Sequence, residues 1–165
     1  MKYLKMACVC LAVALVFIAA YFIIKPFIEE DKEAIDFSGG TASGEVISLS
    51  DNFGKTGTVL CFFDPQAEQS LQLVEQLVDT VNGRADIIAV AATDLEAQDA
   101  LALMSDKIKT IEHLIVDGTE AVEKYRISSP PITYFIDRDG LVISTYLYKI
   151  SDKSLNKELD KLAKE

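Results

Sequence analysis

Cysteine thiols are the most reactive groups in this sequence, and they are poorly placed for shared chemistry. Cys8 and Cys10 lie inside an apolar N-terminal run, and Cys61 stands alone in a later apolar run. One cysteine outside the N-terminal run can form neither a disulfide within a domain nor a zinc site. We expect Cys61 to be a small buried hydrophobe with a raised pKa, the alternative being a redox thiol.

His113 is the only histidine of the chain. A protein metal site needs several converging ligands, and Glu112 beside it would point to the opposite face of a strand. We therefore expect a structural role for His113 at a strand edge, no metal site and no cofactor.

Two carboxylates, Asp64 and Glu68, flank a turn that follows the apolar run containing Cys61. Carboxylates in the first turn of a helix stabilise it by up to about 1 kcal/mol. Helix capping is thus the expected role of both residues. The alternative is an acidic mouth or a weak cation site.

The charge of the chain is unevenly distributed. The 165 residues carry a net charge of −10, and half of them are hydrophobic. Residues 1–28 contain three lysines and no acid, so they contribute +3 and the remainder carries −13. Binding to nucleic acid needs clustered Lys and Arg side chains, and so the composition predicts no nucleic-acid partner.

An uncharged run of 19 residues, 6–24, predicts a transmembrane helix. As a helix it would extend about 28 Å, close to the thickness of the hydrocarbon core of a bilayer. Lys2 and Lys5 precede it, which favours a cytoplasmic N-terminus and an extracytoplasmic domain in the cell membrane. A cleaved signal peptide is the alternative. The predicted organisation is an anchor over 1–28, a Gly- and Ser-rich linker over 29–44 and a domain over 45–165.

Hydrophobic periodicity predicts an α/β domain after the linker. Buried or half-buried strands are expected over 46–49, 58–63, 85–92, 113–117, 132–137 and 141–149. Helices are expected over 68–82, from Thr93 or Asp94 to about 105, over 119–125 and after a cap at Ser151. Arg-Asp-Gly at 138–140 predicts a hairpin between the last two strands. The sheet should therefore be mixed.

Three motifs carry a resemblance to a known family. Ile-Ser-Leu-Ser-Asp at 47–51 with Gly-Lys at 54–55, Phe-Phe-Asp-Pro-Gln-Ala-Glu-Gln-Ser at 62–70 and Pro-Ile-Thr-Tyr-Phe-Ile-Asp-Arg-Asp-Gly at 131–140 follow one another in order. They resemble V-S-L-S-D-x-x-G-K, F-F-D-P-x-C-x-x-C and P-T-T-F-L-I-D-x-D-G of the membrane-tethered TlpA and redoxin (alkyl hydroperoxide reductase/thiol-specific antioxidant) group. The resemblance covers about residues 45–165. It implies a thioredoxin-like α/β fold, a mixed sheet flanked by helices.

The sequence departs from that family at the two cysteines. Ala67 stands where the attacking cysteine would be, and Ser70 where the resolving cysteine would be. Thiol–disulfide exchange needs a thiolate at the helix N-terminus and a mixed disulfide. The resemblance implies an oxidoreductase, but this site lacks the reacting sulfur atoms, and peroxide reduction would need the same thiolate.

The resemblance also implies a groove for an extended polypeptide beside a cis-proline. The aligned cis-proline is Pro131, which makes a cis Pro130–Pro131 bond a hypothesis, with Pro130 as the alternative cis residue. Pro130 has no N–H, so a donor to a bound main chain would be missing. The candidate groove residues are Asp64, Pro65, Glu68, Ser129, Pro130 and Pro131.

The first functional hypothesis is a non-catalytic module that binds an extracytoplasmic protein or peptide. The second is a thiol–disulfide oxidoreductase or antioxidant redoxin, if the cysteines at 67 and 70 have been replaced in this chain or if Cys61 serves instead. The third is a structural spacer or sensor domain. An exposed apolar patch at Phe63, Pro65, Pro130 and Pro131 would favour the first hypothesis over the third.

Overall fold

The computed structural model describes residues 32–163 of the chain. The predicted anchor over 6–24 lies outside the described residues, as do residues 25–31 and 164–165. Within the described part of the chain, no helix is both long and apolar enough to cross a membrane.

The described residues contain eight strands, which form a single mixed sheet. Their bounds are β1 Lys32–Glu33, β2 Ser38–Thr41, β3 Val46–Ser48, β4 Thr58–Phe63, β5 Asp86–Ala91, β6 His113–Asp117, β7 Ile132–Ile136 and β8 Leu141–Leu147. The order across the sheet is β1-β8-β7-β4-β5-β6-β2-β3. Strand β4 runs parallel to β5, and β5 runs parallel to β6, whereas all other neighbours are antiparallel. The predicted mixed α/β sheet is confirmed.

Within residues 32–163, four α-helices connect or follow these strands: α1 Glu68–Val81, α2 Ala97–Leu103, α3 Thr119–Lys124 and α4 Asp152–Leu162. Two short 3-10 segments, Leu49–Asn52 and Ile108–Thr110, lie between strands. Ser151 caps α4 as predicted, because its hydroxyl accepts a hydrogen bond from the amide of Ser154.

Strand β4 is the centre of the fold. All six of its residues are buried, since β5 and β7 flank it and both faces of the sheet are covered. Val59, Cys61 and Phe63 point to the face covered by α1 and α4, and Leu60 and Phe62 to the opposite face. The alternation of side chains along a strand thus divides the core into two clusters.

The second cluster is built around aromatic rings. Phe62 lies 5.1 Å from Tyr125, and Tyr125 lies 5.1 Å from Tyr134, measured between ring centroids. Phe37 packs against both Phe62 and Tyr125. Such tilted and edge-on contacts are favourable for aromatic pairs.

The structure differs from the predicted linker over residues 32–44. Strand β1 pairs with β8, strand β2 pairs with β3 and β6, and residues 34–37 connect β1 to β2 across the sheet. Phe37 is buried in the aromatic cluster. A Cβ atom at Gly39 would lie 2.6 Å from Ile115, so this glycine allows β2 to pack closely against β6.

Helix α2 begins later than predicted, at Ala97 rather than after Thr93 or Asp94. The hydroxyl of Thr93 accepts a hydrogen bond from the amide of Leu95, which holds a turn before the helix. The prediction that Thr93 or Asp94 caps the helix is therefore wrong, and Glu96 is the N-cap residue.

Candidate functional site

The turn between β4 and α1 holds the positions where the family motif has its cysteines. Ala67 is the N-cap residue of α1 and supplies no side-chain cap. Its amide donates to the carbonyl of Asp64, with 3.1 Å between the atoms. The methyl group of Ala67 is half-buried. At this helix terminus the chain therefore offers a small apolar side chain in place of a nucleophile.

Ser70 lies in the first turn of α1 and is fully buried. Its hydroxyl has no hydrogen-bond partner among the described residues. A buried hydroxyl without a partner destabilises a fold by about 1–3 kcal/mol. The surroundings of Ser70 thus suit an apolar or weakly polar group better than a hydroxyl.

Cys61 lies in β4, the strand that leads into this turn, and it is fully buried. Burial raises the pKa of its thiol to about 12, although a hydrogen bond from Thr133 acts in the opposite direction. The reactive form of a cysteine is the thiolate, which forms only when the thiol loses its proton. The expectation of a buried cysteine with a raised pKa is confirmed.

The predicted capping carboxylates act on different groups. One carboxylate oxygen of Asp64 accepts a hydrogen bond of 2.8 Å from the amide of Gln66, which stabilises the turn before the helix. Glu68 is in the first turn of α1 and accepts a hydrogen bond from Gln72. The capping expected of Asp64 is wrong, because Ala67 occupies the N-cap position.

The loop before β7 contains a cis peptide bond between Pro130 and Pro131, and so Pro131 is the cis residue. The carbonyl of Pro131 accepts a hydrogen bond of 2.9 Å from the amide of Tyr148, the residue that follows β8. Because the carbonyl of Pro131 is engaged and Pro130 has no N–H, this loop presents few main-chain groups to a bound segment.

Two clefts lie on either side of the two prolines. The first, called here the α3 cleft, has a volume of about 460 Å³ and is lined by Asp64, Gln66, Ala91, Ala92, Thr93, Asp94, Thr119, Val122, Glu123, Ile127, Ser128 and Pro130. The second, called here the α4 cleft, has a volume of about 560 Å³ and is lined by Gln69, Gln72, Leu73, Gln76, Pro131, Tyr148, Lys149 and Asp152. Asp64 and Gln66 of the turn between β4 and α1 line the α3 cleft, and Gln69 in the first turn of α1 lines the α4 cleft.

The structure distributes the predicted groove residues over these surfaces. Asp64 and Pro130 line the α3 cleft, and Pro131 lines the α4 cleft. Pro65 is buried, whereas Glu68 and Ser129 are exposed outside both clefts. Of the six residues, Asp64, Pro130 and Pro131 therefore line clefts beside the turn and the proline loop, and the other three line neither cleft.

An exposed apolar patch at the turn and the proline loop would favour a binding domain over a structural spacer, but the patch is small. Phe63, Pro65 and Pro131 are buried, and Pro130 is half-buried. This burial weighs towards a structural role for those four side chains. Any apolar contact with a partner must come from other residues of the clefts.

Tyr148 is such a residue, and sequence reasoning missed it. Its side chain is 58% exposed in the α4 cleft, and its backbone has a φ of 64°. The pattern of β8 predicts where the strand ends, but it carries no signal for a left-handed backbone in the next residue. Gln69, Gln72 and Gln76 were missed as well, although their spacing of three and four places them on one face of α1.

His113 begins β6 and pairs with Ile88 of β5. It is half-buried, and no group of three His, Cys, Asp or Glu residues in the described part of the chain could hold a metal ion.

Comparisons with known proteins agree on the fold. No protein-family model matches the chain. The thioredoxin-like protein YneN of Bacillus subtilis is 26% identical over 137 residues, which cover 81% of this chain and 80% of that protein.

Solved structures give the same result. A thiol:disulfide interchange protein of the thioredoxin family from Chlorobium tepidum superposes with a TM-score of 0.67 at 16% identity, covering 82% of this chain and 98% of that one. The exposed lipoprotein thioredoxin of Streptococcus pneumoniae superposes with a TM-score of 0.60 at 21% identity, covering 78% of this chain and 100% of that one. The sheet order, the motifs and these similarities together support a thioredoxin-like domain of the redoxin type.

Proposed function

We propose that this protein is a membrane-tethered, extracytoplasmic thioredoxin-like domain without a redox dithiol, which binds a partner polypeptide and does not catalyse thiol–disulfide exchange. One observation carries the proposal: Cys61, the only cysteine among the described residues, is fully buried with a pKa of about 12, while Ala67 and Ser70 occupy the start of α1.

The chemistry of exchange explains why this observation matters. A thiolate must attack a disulfide sulfur, and a second thiol must resolve the mixed disulfide. A helix N-terminus lowers the pKa of a thiol placed there, but Ala67 gives it no thiol to act on. Cys61 lies within the sheet and cannot reach a substrate without unfolding of β4.

Partner binding is supported by what remains around the turn. Two clefts of about 460 and 560 Å³ flank it, and these volumes are in the range of ligand-binding clefts. An exposed tyrosine lines the second cleft, and tyrosine is enriched at protein interfaces.

The membrane tether and the extracytoplasmic location rest on the uncharged run 6–24 and on Lys2 and Lys5 before it. The similar structure from Streptococcus pneumoniae is described as an exposed lipoprotein thioredoxin, and this supports an extracytoplasmic position for the present domain.

The test is reduction of insulin by dithiothreitol, measured with the full-length chain in detergent micelles. The Ala67→Cys/Ser70→Cys variant is the matched comparison. We expect the unaltered chain to leave the uncatalysed rate unchanged and the double variant to accelerate it. An active unaltered chain would refute the proposal, because it would place redox chemistry on a group other than residues 67 and 70.

An oxidoreductase is the second candidate function. It is favoured by the similar structures, several of which are described as thiol:disulfide interchange proteins. It predicts activity in the unaltered chain that is lost in Cys61→Ala. A structural spacer is the third candidate, favoured by the burial of Phe63, Pro65 and Pro131. It predicts that no polypeptide binds to either cleft.

A further inference from the structure

A third cleft, called here the β1 cleft, lies beside β1 on the face of the sheet that carries the aromatic cluster. It has a volume of about 480 Å³ and is lined by residues 32–35, residues 124–126, Tyr134, Val142 and Thr145. None of these residues lines the α3 or the α4 cleft. The β1 cleft is therefore a separate surface, and its volume is in the range of ligand-binding clefts.

Two tyrosines in this cleft have hydroxyl protons without an acceptor. Tyr125 and Tyr134 are each at most 9% exposed. In the described part of the chain, the hydroxyl of Tyr125 is buried without a hydrogen-bond partner, and that of Tyr134 makes no hydrogen bond. The backbone of Ile35 acts to lower the pKa of Tyr125, as a nearby N–H does, but an N–H cannot accept the hydroxyl proton. Because a buried hydroxyl without a partner is unfavourable, both phenols suit an acceptor that the described chain does not supply.

The two phenols lie together. Their ring centroids are 5.1 Å apart. Burial raises the pKa of Tyr125, and Tyr134 raises it further, so the two hydroxyl groups are near enough to influence each other. Burial also raises the pKa of Tyr134 to about 12. Both groups are therefore neutral donors at physiological pH, and one acceptor group beside them would satisfy both.

The basic side chains that line this cleft outnumber the acidic ones: Lys32, Lys124 and Arg126 against Glu33. The lining thus carries a net charge of +2, whereas residues 29–165 together carry −13. Lys124 is paired with Glu120 over 2.7 Å. The guanidinium of Arg126 is exposed and has no partner among residues 32–163. An anion is therefore the acceptor that the charge of this cleft favours.

Other lining residues are apolar. Ala34, Ile35 and Val142 belong to this part of the lining. Ile35 is 48% exposed. An exposed isoleucine beside a cluster of hydrogen-bond donors suits a ligand that has both an apolar and an anionic part.

Phosphate is the anionic group that fits these donors best. It carries more acceptor oxygens than a carboxylate, and a guanidinium pairs with it through two parallel hydrogen bonds. One phosphate can accept from Tyr125, Tyr134 and Arg126 together. The two oxygens of a carboxylate would already be engaged by the guanidinium.

We propose that the β1 cleft binds a phosphate ester with an apolar body, whose phosphate accepts hydrogen bonds from Tyr125 and Tyr134 and pairs with Arg126, and whose apolar body packs on Ile35. This inference goes beyond the proposed function and does not depend on a partner polypeptide.

The ligand has two possible sources, a membrane lipid or a free phosphate ester. Lys32 follows the uncharged run 6–24 by eight residue steps, which reach at most about 29 Å. A transmembrane run would thus keep the cleft close to lipid headgroups. Only this lipid source rests on the proposed membrane tether.

The first test is isothermal titration calorimetry on the full-length chain in dodecyl maltoside micelles, with phenyl phosphate as the probe. Inorganic phosphate lacks the apolar body, phenol lacks the anion, and benzoate replaces the phosphate by a carboxylate. We expect phenyl phosphate to bind at least about tenfold more tightly than each of these three compounds. Equal affinity for any of them, or no binding of phenyl phosphate, would overturn the inference.

Variants assign the binding to this cleft. Arg126→Gln should weaken the binding of phenyl phosphate by about tenfold or more, because it removes a charge-assisted pair. Arg138→Gln is the matched control, since Arg138 is an exposed arginine outside all three clefts. Equal weakening in both variants would show a general effect of charge, and the inference would fail.

Tyr125→Phe separates ligand binding from folding. It should weaken binding by about threefold or more, because one donor is lost. The same variant should raise the thermal unfolding midpoint of the free protein by about 2–4 °C, because it removes a buried hydroxyl without a partner. A lower midpoint with unchanged affinity would show a structural role for this hydroxyl and would contradict the inference.

Native mass spectrometry of the same micelles distinguishes the two sources. The added lipids are phosphatidic acid and, as the matched lipid without a phosphate, diacylglycerol. Retention of phosphatidic acid alone, lost in Arg126→Gln but kept in Arg138→Gln, would support the inference with a membrane lipid as the ligand. If Arg126→Gln weakens phenyl phosphate but changes the retention of neither lipid, the phosphate site is supported with a free ester as the ligand.

Discussion

The hydroxyl of Thr133 in β7 donates a hydrogen bond to the thiol sulfur of Cys61 in β4, with 3.6 Å between Oγ1 and Sγ. The two residues are register partners on adjacent strands, and both are fully buried. The bond stabilises the thiolate slightly, but burial dominates and the pKa of Cys61 is about 12. The thiol is therefore neutral at all physiological pH values.

This raised pKa predicts a loss of stability in alkaline solution. An unfolded cysteine ionises near pH 8.5, whereas folded Cys61 keeps its proton up to about pH 12. The stabilising contribution is complete below the unfolded pKa and is lost as the pH rises towards the folded pKa. Between pH 9 and 10 the free energy of unfolding should fall by up to about 1.4 kcal/mol per pH unit.

Urea unfolding at pH 9.0, 9.5 and 10.0 measures this slope, and Cys61→Ala is the comparison. The variant should be less stable at neutral pH, because it leaves a small cavity, but its stability should depend less on pH. Above pH 10 the buried Tyr134, with a pKa of about 12, lowers the free energy of unfolding further in both proteins. Equal slopes below pH 10 would contradict the prediction.

Ser70 should be a site where a substitution stabilises the domain. Its hydroxyl is buried without a partner, so Ser70→Ala should raise the free energy of unfolding by about 1 kcal/mol. Ser144 is the matched control, because it is also buried and its hydroxyl donates to Glu158 over 2.9 Å. Ser144→Ala should lower the stability by a similar amount. Thermal unfolding of both variants measures these changes. A destabilised Ser70→Ala would mean that the hydroxyl of Ser70 has a hydrogen-bond partner outside the described residues.

Glycines 39 and 40 provide a test of the N-terminal strands. A Cβ atom would lie 2.6 Å from Ile115 at Gly39, but 3.6 Å from Asp117 at Gly40. Gly39→Ala should therefore destabilise the domain by about 1–3 kcal/mol through overpacking, and Gly40→Ala should have little effect. Chemical denaturation distinguishes them. Equal stability of the two variants would mean that β2 does not pack against β6 in solution.

Glu158 anchors α4 to β8 through a buried network. Its carboxylate accepts hydrogen bonds from Ser144 and Tyr146 and pairs with Lys161 over 2.7 Å. Burial by itself raises the pKa of Glu158, but these partners outweigh it and the pKa is lowered. The contribution to stability is thus present above the unfolded pKa of about 4.3 and is lost as the pH falls through the lower, folded pKa.

Glu158→Ala should lower the free energy of unfolding at pH 7 by about 3 kcal/mol, because it leaves the hydroxyls of Ser144 and Tyr146 without their acceptor. Glu120→Ala is the control: Glu120 also pairs with a lysine, Lys124, over 2.7 Å, but at the surface, where such pairs contribute little. Urea denaturation at pH 7 and pH 3 tests both points. The difference between the unaltered chain and Glu158→Ala should shrink at pH 3, and an unchanged difference would refute the role given to the charge.

The sequence pattern predicted the centre of the fold well. Strand β4 has the predicted bounds because five consecutive apolar residues after Thr58 are typical of a strand covered on both faces. The cap at Ser151 was predictable because the hydroxyl acts on an amide three residues away. Both features depend on local pattern.

Features that depend on distant contacts were not predictable. Gly39 and Gly40 are typical of a linker, and only the closeness of Ile115 explains them as part of a strand. The two clefts depend on how α1, α3, α4 and the proline loop assemble. The position of Tyr148 depends on a hydrogen bond to Pro131, 17 residues earlier in the sequence.

The short connection over residues 34–37 has a mechanical consequence. It joins β1 to β2, which lie six strand spacings apart in the sheet order, or about 29 Å in a flat sheet. Five residue steps from Glu33 to Ser38 reach at most about 18 Å. The sheet must therefore curl. Residues 34–37 link the edge strand β1 to β2 near the opposite edge, and the buried side chain of Phe37 holds this link in the core. Force applied at Lys32 would first break the two residue pairs between β1 and β8, and only then act on residues 34–37. A moderate force would therefore leave the α3 and α4 clefts unchanged.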